Sequence, residues 1–570
     1  MIDDRTAPIG TLPKVRNGFV KTQGPWLLLA VAVAALVLLP IVPLLVLAFA
    51  DGAQGFRELA EQPNLGRLYW QTFALGTGSL IVAMVFGTLL ALCMYIMPAG
   101  LRRWLSIAPI LPILIPAVAH VVGFVFLFSP ENGYVNTLIR SLPFVTAESG
   151  PINVYTPTWI IIFTGINLAS FVYLFVHTGL RNLGPEYVLA ARSNGAGSLR
   201  ALFTVTLPLL RPVFIYSAAV CFLLALGQFT APLILGRREG LDVITTRMYD
   251  LTAQYPVNYG LIGALGIPLI LVALFLVVLQ RKLIGDQTRF VGQVSALAPA
   301  APSKWASGLA AAFVLTFTIL FAVLPLLALL YVSFSPFWSG QVSVSDLTTA
   351  NYTAVLSNPA MTRSVVTSLV VSIGGVLLVI PFGMLIALAI FNKDRLWPPI
   401  AATLDIAANL PLALPAAIMG FGFLFAFSAP GVGLYGTPQS LVIAYAVIMV
   451  PFAVRYQLSA LIAMGKQTTE ASRANGAGPI RTFAQVILPL ARTGIASAAA
   501  IIFVLLVHEF AVSLLLRAPN VTTMSVLLFN EYDAGSYPVV AVIAIVMTAI
   551  TAVGVALTML VGGRRAFENM

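Results

Sequence analysis

The sequence predicts an all-α, polytopic membrane protein whose twelve transmembrane helices form two parallel six-helix repeats. Three observations carry this reading. Of 570 residues, 59% are hydrophobic and 9% charged, with a mean hydropathy of +0.97, whereas soluble domains carry about a quarter charged residues. Apolar runs of about 20 residues recur along the chain, each long enough to cross a hydrocarbon core of roughly 30 Å. Long stretches of the chain also occur twice.

The runs fall near 26–50, 72–97, 105–128, 157–180, 212–235, 260–280, 306–334, 364–391, 399–428, 439–462, 493–516 and 538–561. They lack the alternation of barrel strands, and helices satisfy their own backbone groups in lipid. Basic residues set direction, because they concentrate on the cytoplasmic side. With the N-terminus inside, 22 of the 31 Lys and Arg residues fall in inner segments and eight in outer ones, and Arg455 lies within a span. Both termini are therefore expected in the cytoplasm. The net charge of +11 is scattered over short loops and is no nucleic-acid footprint. The polar stretch before the first run lacks the pattern of a cleavable signal. Cys93 and Cys221 lie in apolar runs and read as small core residues, not as a disulfide or metal pair.

The duplication sets the domains. "PILIPAVAHVVGFVFLFS" at 112–129 matches "PLALPAAIMGFGFLFAFS" at 411–428, aligning Pro112 with Pro411, Pro116 with Pro415 and Gly123 with Gly422. "RSNGAGSLRALFTVTLPLL" at 192–210 matches "RANGAGPIRTFAQVILPLA" at 473–491. Six spans per repeat is an even number, so both repeats enter the membrane the same way. The expected division is a cytoplasmic segment at 1–25, repeats at 26–280 and 306–562, a cytoplasmic linker at 281–305 and a tail at 563–570.

The second repeated stretch is polar and broken. Pro185 and Glu186 suit the first turn of a helix. The NGAG string supplies residues tolerant of positive φ and ends that helix. A second short helix is expected from Ser198 or Pro479, stopped by Pro208 or Pro489. Leu199, Leu202 and Phe203 would share one of its faces. One such amphipathic unit would read as a membrane-surface anchor. Two copies in matching inner loops point to a shared docking task.

This segment resembles the EAA loop of the membrane permeases of binding-protein-dependent ABC importers: Glu-Ala-Ala, three residues, Gly, then Leu-Pro. The second copy has Glu470, Ala471, Gly476, Leu488 and Pro489 in those places. The first has Ala190, Ala191, Gly195, Leu207 and Pro208, with Leu189 where the family has glutamate and Glu186 one turn earlier as a stand-in. The resemblance implies that Glu186, Ala190, Ala191, Gly195, Glu470, Ala471 and Gly476 couple the chain to two copies of a cytoplasmic ABC ATPase. It further implies an extracytoplasmic solute-binding protein and a bacterial inner-membrane location. ATP and Mg would be bound by the partner ATPase and no cofactor by this chain, so the chain itself is not an enzyme. Accordingly, the sequence has no G-x-x-x-x-G-K-[ST]. The string "MGKQT" at 464–468 lacks the first glycine and the hydroxyl after Lys466. Among fused twin permeases the chain looks most like the ferric-iron uptake subfamily, through "GLDVITTRMYDL" and "YPVNYGL" within 240–261 and "LSALI" and "TTEASRANGAG" within 458–478. Thiamine, aminoethylphosphonate and polyamine permeases share the same frame.

Polar residues inside the spans are the remaining candidates. "ALGQFTAPLILG" at 225–236 aligns with "LVHEFAVSLLLR" at 506–517, pairing Gln228 with Glu509, beside His508. These positions lie about 10–12 Å inside the outer end at 1.5 Å per residue. A charge stranded in lipid costs several kcal/mol, so Gln228, His508 and Glu509 read as translocation-path residues facing each other across the repeat axis. Helix–helix hydrogen bonding is the alternative. Packing or interface roles are expected for Asp405, Asn409, His120, Asn167, His177 and Arg455, and no metal site is expected. Two other function classes remain: a proton-coupled secondary transporter using His508 and Glu509, and a membrane enzyme, for which no nucleophile–base or metal-ligand spacing exists.

Overall fold

The structure, a computed structural model, describes residues 14–284 and 304–562, apart from 144, 146–148 and 184. Among the described residues it is all helical, with one isolated bridge between Ala518 and Val521. Eight straight apolar helices are long enough to cross a membrane: Leu65–Ile96, Pro157–Arg181, Tyr259–Gln280, Lys304–Phe334, Pro359–Phe391, Pro438–Met464, Pro479–Val507 and Tyr537–Leu557. Four further crossings are helix pairs bent at a short break, giving up to twelve in all. We number these spans one to twelve along the chain. The expected linker lies largely, and the expected tail wholly, outside the described residues. The expected N-terminal segment is already helical from Lys14.

Two of these bends are close to a right angle. The third and ninth spans turn by 93° and 107° between their two pieces, Ala99–Leu114 with Ala117–Phe128 and Pro398–Ala413 with Ala416–Ser428. The cause is local. Ile115 and Leu414 each precede a proline and are extended, with ψ of 131° and 132°, because the proline ring excludes the helical region for the residue before it.

The expected stop at Pro489 is corrected. Each Leu-Pro is preceded by a π-turn, Leu202–Thr206 or Phe483–Ile487, and the leucine N–H bonds a carbonyl five residues back. This wider turn accommodates the ring, so the eleventh span runs unbroken through Pro489 from Pro479 to Val507. The first copy does bend, by 58° between Leu209 and Arg211. There Pro212 stands where the second copy has Thr493, and a second proline removes a second helical N–H.

The leading span of each half packs against the other half as well as its own: Ile41–Glu61 lies along Tyr259–Ile284, and Leu324–Phe334 along Tyr537–Gly562. Lys14–Leu38 and its continuation Ile41–Glu61 pack on Pro398–Ala413 and Ala416–Ser428 of the second half. Reciprocally, Lys304–Thr318 and Leu324–Phe334 pack on Leu65–Ile96 and Ala117–Phe128 of the first. The cores are shared accordingly: Ala30, Val33 and Leu44 lie in one cluster with Phe421 and Phe423, and Val122 and Phe126 in another with Leu329 and Val542. At the crossings there is no room for a side chain. A Cβ on Gly422 would sit 1.8 Å from the Pro40 carbonyl oxygen, and one on Gly123 would sit 2.8 Å from that of Pro325. This is why glycine recurs at both aligned positions. Small residues let membrane helices approach closely, where apolar burial alone gives no drive to associate.

Candidate functional site

Two regions of the fold gather the polar residues. The first is the pair of NGAG turns, both at the same end of the bundle. Helix Pro185–Ser193 ends at Asn194, and helix Lys466–Ala474 at Asn475. Gly195 and Gly476 follow with φ of +84° and +79°. The N–H of Ala196 bonds Ala191 O at 3.0 Å and that of Gly195 bonds Arg192 O at 2.9 Å. In the second copy Ala477 bonds Ser472 O at 3.2 Å and Gly476 bonds Arg473 O at 2.9 Å. Both are Schellman caps, in which the left-handed glycine lets the chain turn back and satisfy the last helical carbonyls. Asn194 and Asn475 each add a side-chain bond, to Ala190 O and Ala471 O, at 2.8 Å. A Cβ on either glycine would meet nothing within 4 Å. Backbone conformation, not space, therefore requires glycine here.

These turns leave their surroundings open. Helix Lys466–Ala474 buries none of its residues, so Glu470 and Ala471 are free on its surface. Glu186 and Ala190 are exposed on the first copy, and Ala191 is half-buried. Apolar groups are exposed beside them: Ile480 is 85% accessible, and Tyr187, Leu189 and Phe203 are also open. The side chain of Leu199 lies outside the described residues. Lys466, at the start of the second turn unit, forms an ion pair with Asp394.

The second region is the midline. The fifth and eleventh spans end at Leu226 and Val507, short of the expected ends, and the chain then breaks. Gln228 and Glu509 occupy these breaks. The structure does not bring their side chains into contact. Thr164 donates to Gln228 Oε1 at 2.8 Å, and the buried Gln228 Nε2 has no partner. Glu509 folds back on its own chain: its two carboxylate oxygens accept the N–H groups of Val512 and Ser513, both at 2.9 Å, and the Ser513 hydroxyl at 2.8 Å. It thus caps the short helix Ala511–Leu515. His508 turns away to Thr551 Oγ1 of the last span, at 2.6 Å, and makes no contact with Glu509.

What meets at the midline is aromatic. Phe229 and Phe510, the residues after Gln228 and Glu509, are both buried, with ring centroids 5.8 Å apart and planes 30° apart. Phe229 packs edge-on against Tyr249, and Phe510 tilts against Phe529, at 5.8 and 5.3 Å. The row Tyr249–Phe229–Phe510–Phe529 is palindromic about the repeat axis. The hydrogen bonds behind it repeat as well. Thr245 donates to Gln228 O at 2.7 Å and Ser525 to Glu509 O at 2.6 Å. Ile244 N donates to Thr72 and Met524 N to Ser368, at 3.1 and 2.8 Å. Sequence reasoning missed this row. The signal was present in the alignment that paired Gln228 with Glu509, one residue earlier.

The other polar candidates scatter. His120 Nε2 donates to Phe321 O, 2.7 Å away across the halves, a carbonyl whose usual helical donor four residues on is replaced by Pro325, which has no N–H. Asn167 bonds Phe163 O within its own helix, and His177 stacks on Tyr173. Arg455 and Asn409 are joined, with Arg455 over the Tyr216 ring. Asp405 accepts the Asn409 amide through its backbone oxygen. Among the described residues no group of three or more His, Cys, Asp or Glu could hold a metal.

The family described as "Binding-protein-dependent transport system inner membrane component" matches this chain twice, at residues 83–284 and 379–565, together more than half of its length. The Probable ABC transporter permease protein y4fN of Sinorhizobium fredii is 27% identical over 76% of this chain and 76% of its own. The ferric transport system permease protein FbpB of Actinobacillus pleuropneumoniae is 24% identical over 82% of this chain and 68% of its own. The sulfoquinovosyl glycerol transport system permease protein SmoG of Agrobacterium fabrum is 26% identical over 35% of this chain and 64% of its own.

Proposed function

Because this chain belongs to the binding-protein-dependent inner-membrane components of ABC transporters, we propose that it carries one small solute between its two fused halves, driven by ATPase subunits docked on its NGAG turns. The observation that carries this reading is the pair of turns itself. Two Schellman-capped helices, closed by the same hydrogen bonds, stand at one end with unburied helix surfaces and exposed apolar groups around them. That end is read as cytoplasmic. Two sockets take two ATPase copies, with Glu470 and Glu186 contributing acid groups and Gly195 and Gly476 the turn geometry. An external binding protein delivers cargo at the opposite end.

The path runs along the repeat axis, and the stacked Phe229 and Phe510 close it in this conformation. ATP-driven movement of the sockets would draw the fifth and eleventh spans apart and part the rings. Gln228 Nε2, buried without a partner beside the seal, is a donor available to passing cargo. Ferric iron is the first substrate to test, since FbpB matches both halves, with thiamine, aminoethylphosphonate and polyamines behind it. A proton relay through His508 and Glu509 is disfavoured, because they bond to different elements.

The test is co-purification followed by reconstitution. An ATPase recovered at two copies per chain, and iron uptake that requires ATP and the binding protein, are expected. Uptake driven by a proton gradient without any ATPase would overturn the reading.

A further inference from the structure

On the NGAG side of the aromatic pair, Arg455 stands within a span without an ion-pair partner among the described residues. Arg455 lies in helix Pro438–Met464, nine residues before its end, or about 13 Å inside at 1.5 Å per residue. Its Nε and Nη2 both donate to Asn409 Oδ1, at 3.2 and 3.0 Å. Its guanidinium lies 5.3 Å from the centroid of the Tyr216 ring. Arg455 makes no ion pair with any carboxylate among the described residues. Asp405, one turn from Asn409, has an interaction of its own.

The neighbours locate this group. Asn409 belongs to the ninth span and Tyr216 to the fifth, so Arg455 sits where the two halves meet. It is nevertheless exposed. A guanidinium facing acyl chains costs several kcal/mol, so an open arginine at this depth lines a watery space between the halves. The Tyr216 hydroxyl beside it has no hydrogen-bond partner. Arg211 and Arg492, at aligned positions within the fifth and eleventh spans, are exposed too. The repeat does not double Arg455: the aligned residue in the first half is Leu174.

We propose that Arg455, held by Asn409 and Tyr216, is an anion-recognising site in the NGAG-side vestibule, so that cargo passes it bearing an anionic group and not as a bare cation. A guanidinium offers five N–H donors in a planar fork suited to phosphonate and carboxylate oxygens, and Asn409 occupies only part of that fork. The cargo is then an organic anion or a metal ion wrapped in an anionic chelator. This inference rests on the reading of the inter-half space as the translocation path.

The test uses the full chain with its ATPase in nanodiscs. Ser459, exposed one turn from Arg455 toward the NGAG end, is replaced by cysteine after Cys93→Ala and Cys221→Ala. Modification rates are compared for a sulfonate-bearing and a trimethylammonium-bearing methanethiosulfonate. The expected result is faster modification by the anionic reagent, with the rate ratio falling about tenfold in Arg455→Gln and persisting in Arg455→Lys. A ratio unmoved by Arg455→Gln, or a Cys at 459 that neither reagent reaches, overturns the proposal. Uptake in proteoliposomes separates the two sources of negative charge. Loss of 2-aminoethylphosphonate uptake in Arg455→Gln identifies an organic anion, and loss of iron uptake supplied as the citrate complex identifies a chelate. Wild-type uptake of both by Arg455→Gln overturns the proposal. ATPase binding is measured on the same variant. If it persists while the charge effect fails, the importer reading stands without this site.

Discussion

Phe229 and Phe510 stack at 5.8 Å across the repeat axis, and each is the other's counterpart in the duplicated sequence. A contact between equivalent residues of two repeats can occur only on the axis that relates them. The rings therefore mark the centre line of the molecule, where the proposed path would be closed.

The first prediction follows from that closure. Phe229→Ala combined with Phe510→Ala opens the centre line, and proteoliposomes bearing it should leak a trapped small solute several-fold faster than wild type, without ATP. Truncating a buried Phe costs about 3–5 kcal/mol, so thermal stability is read in parallel. The leucine pair at the same positions serves as the milder variant. Tight vesicles with folded double variants of both kinds would show that the seal lies elsewhere.

The second concerns the turn glycines. A left-handed backbone costs a non-glycine residue roughly 1–2 kcal/mol, so Gly476→Ala should weaken ATPase binding about five- to thirtyfold. Gly476→Pro cannot adopt φ of +79° at all, and should abolish both ATPase co-purification and uptake while the protein stays in the membrane. Undiminished binding of the proline variant would remove the coupling role from this turn.

The third concerns inequality of the two sockets. Glu470 is present in the motif position and Leu189 takes its place in the first copy, where it is exposed. Glu470→Arg should cost more transport-coupled ATP hydrolysis than Glu186→Arg. Equal losses would mean that Glu186 fills the missing position completely.

The fourth concerns Glu509. Its carboxylate caps Ala511–Leu515 through two backbone amides, and loss of such a cap costs about 1 kcal/mol. Glu509→Ala should lower thermal stability and uptake together, and Glu509→Gln should restore much of both, because an amide oxygen still accepts one N–H. Full stability with abolished uptake in the alanine variant would instead assign the charge a direct role in the path.

The extent to which the sequence showed this molecule depends on the range of the cause. Span number, duplication and the NGAG breaks arise from composition and from residues within a few positions of one another. Apolar length and the φ tolerance of glycine speak for themselves. The sharp turns at Pro116 and Pro415 were also local, since the residue before a proline is restricted, yet a long apolar run conceals a bend. The bonding of Glu509 was hidden for another reason: the break after Val507 supplies free amides that its carboxylate accepts, and no periodicity of the run announces that break. The pairing of Phe229 with Phe510 needed the position of the axis, which no single stretch of chain encodes. The lone Arg455 among equivalents such as Leu174 was visible, but its place between the halves was not.

The interlock at Pro40 with Gly422, and at Pro325 with Gly123, bears on how the chain is made. Pro40 leaves the ribosome roughly 20–80 s before Gly422 at about 5–20 residues per second. During that interval the first span has no partner for the surface around its proline, and lipid or an insertion chaperone must cover it. The reverse contact has a shorter wait of roughly 10–40 s, because Gly123 precedes Pro325 by fewer residues than Pro40 precedes Gly422. Assembly is thus unequal in time although the finished halves are alike: Tyr259–Ile284 covers Ile41–Glu61 early, and the ninth span closes over Pro40 last.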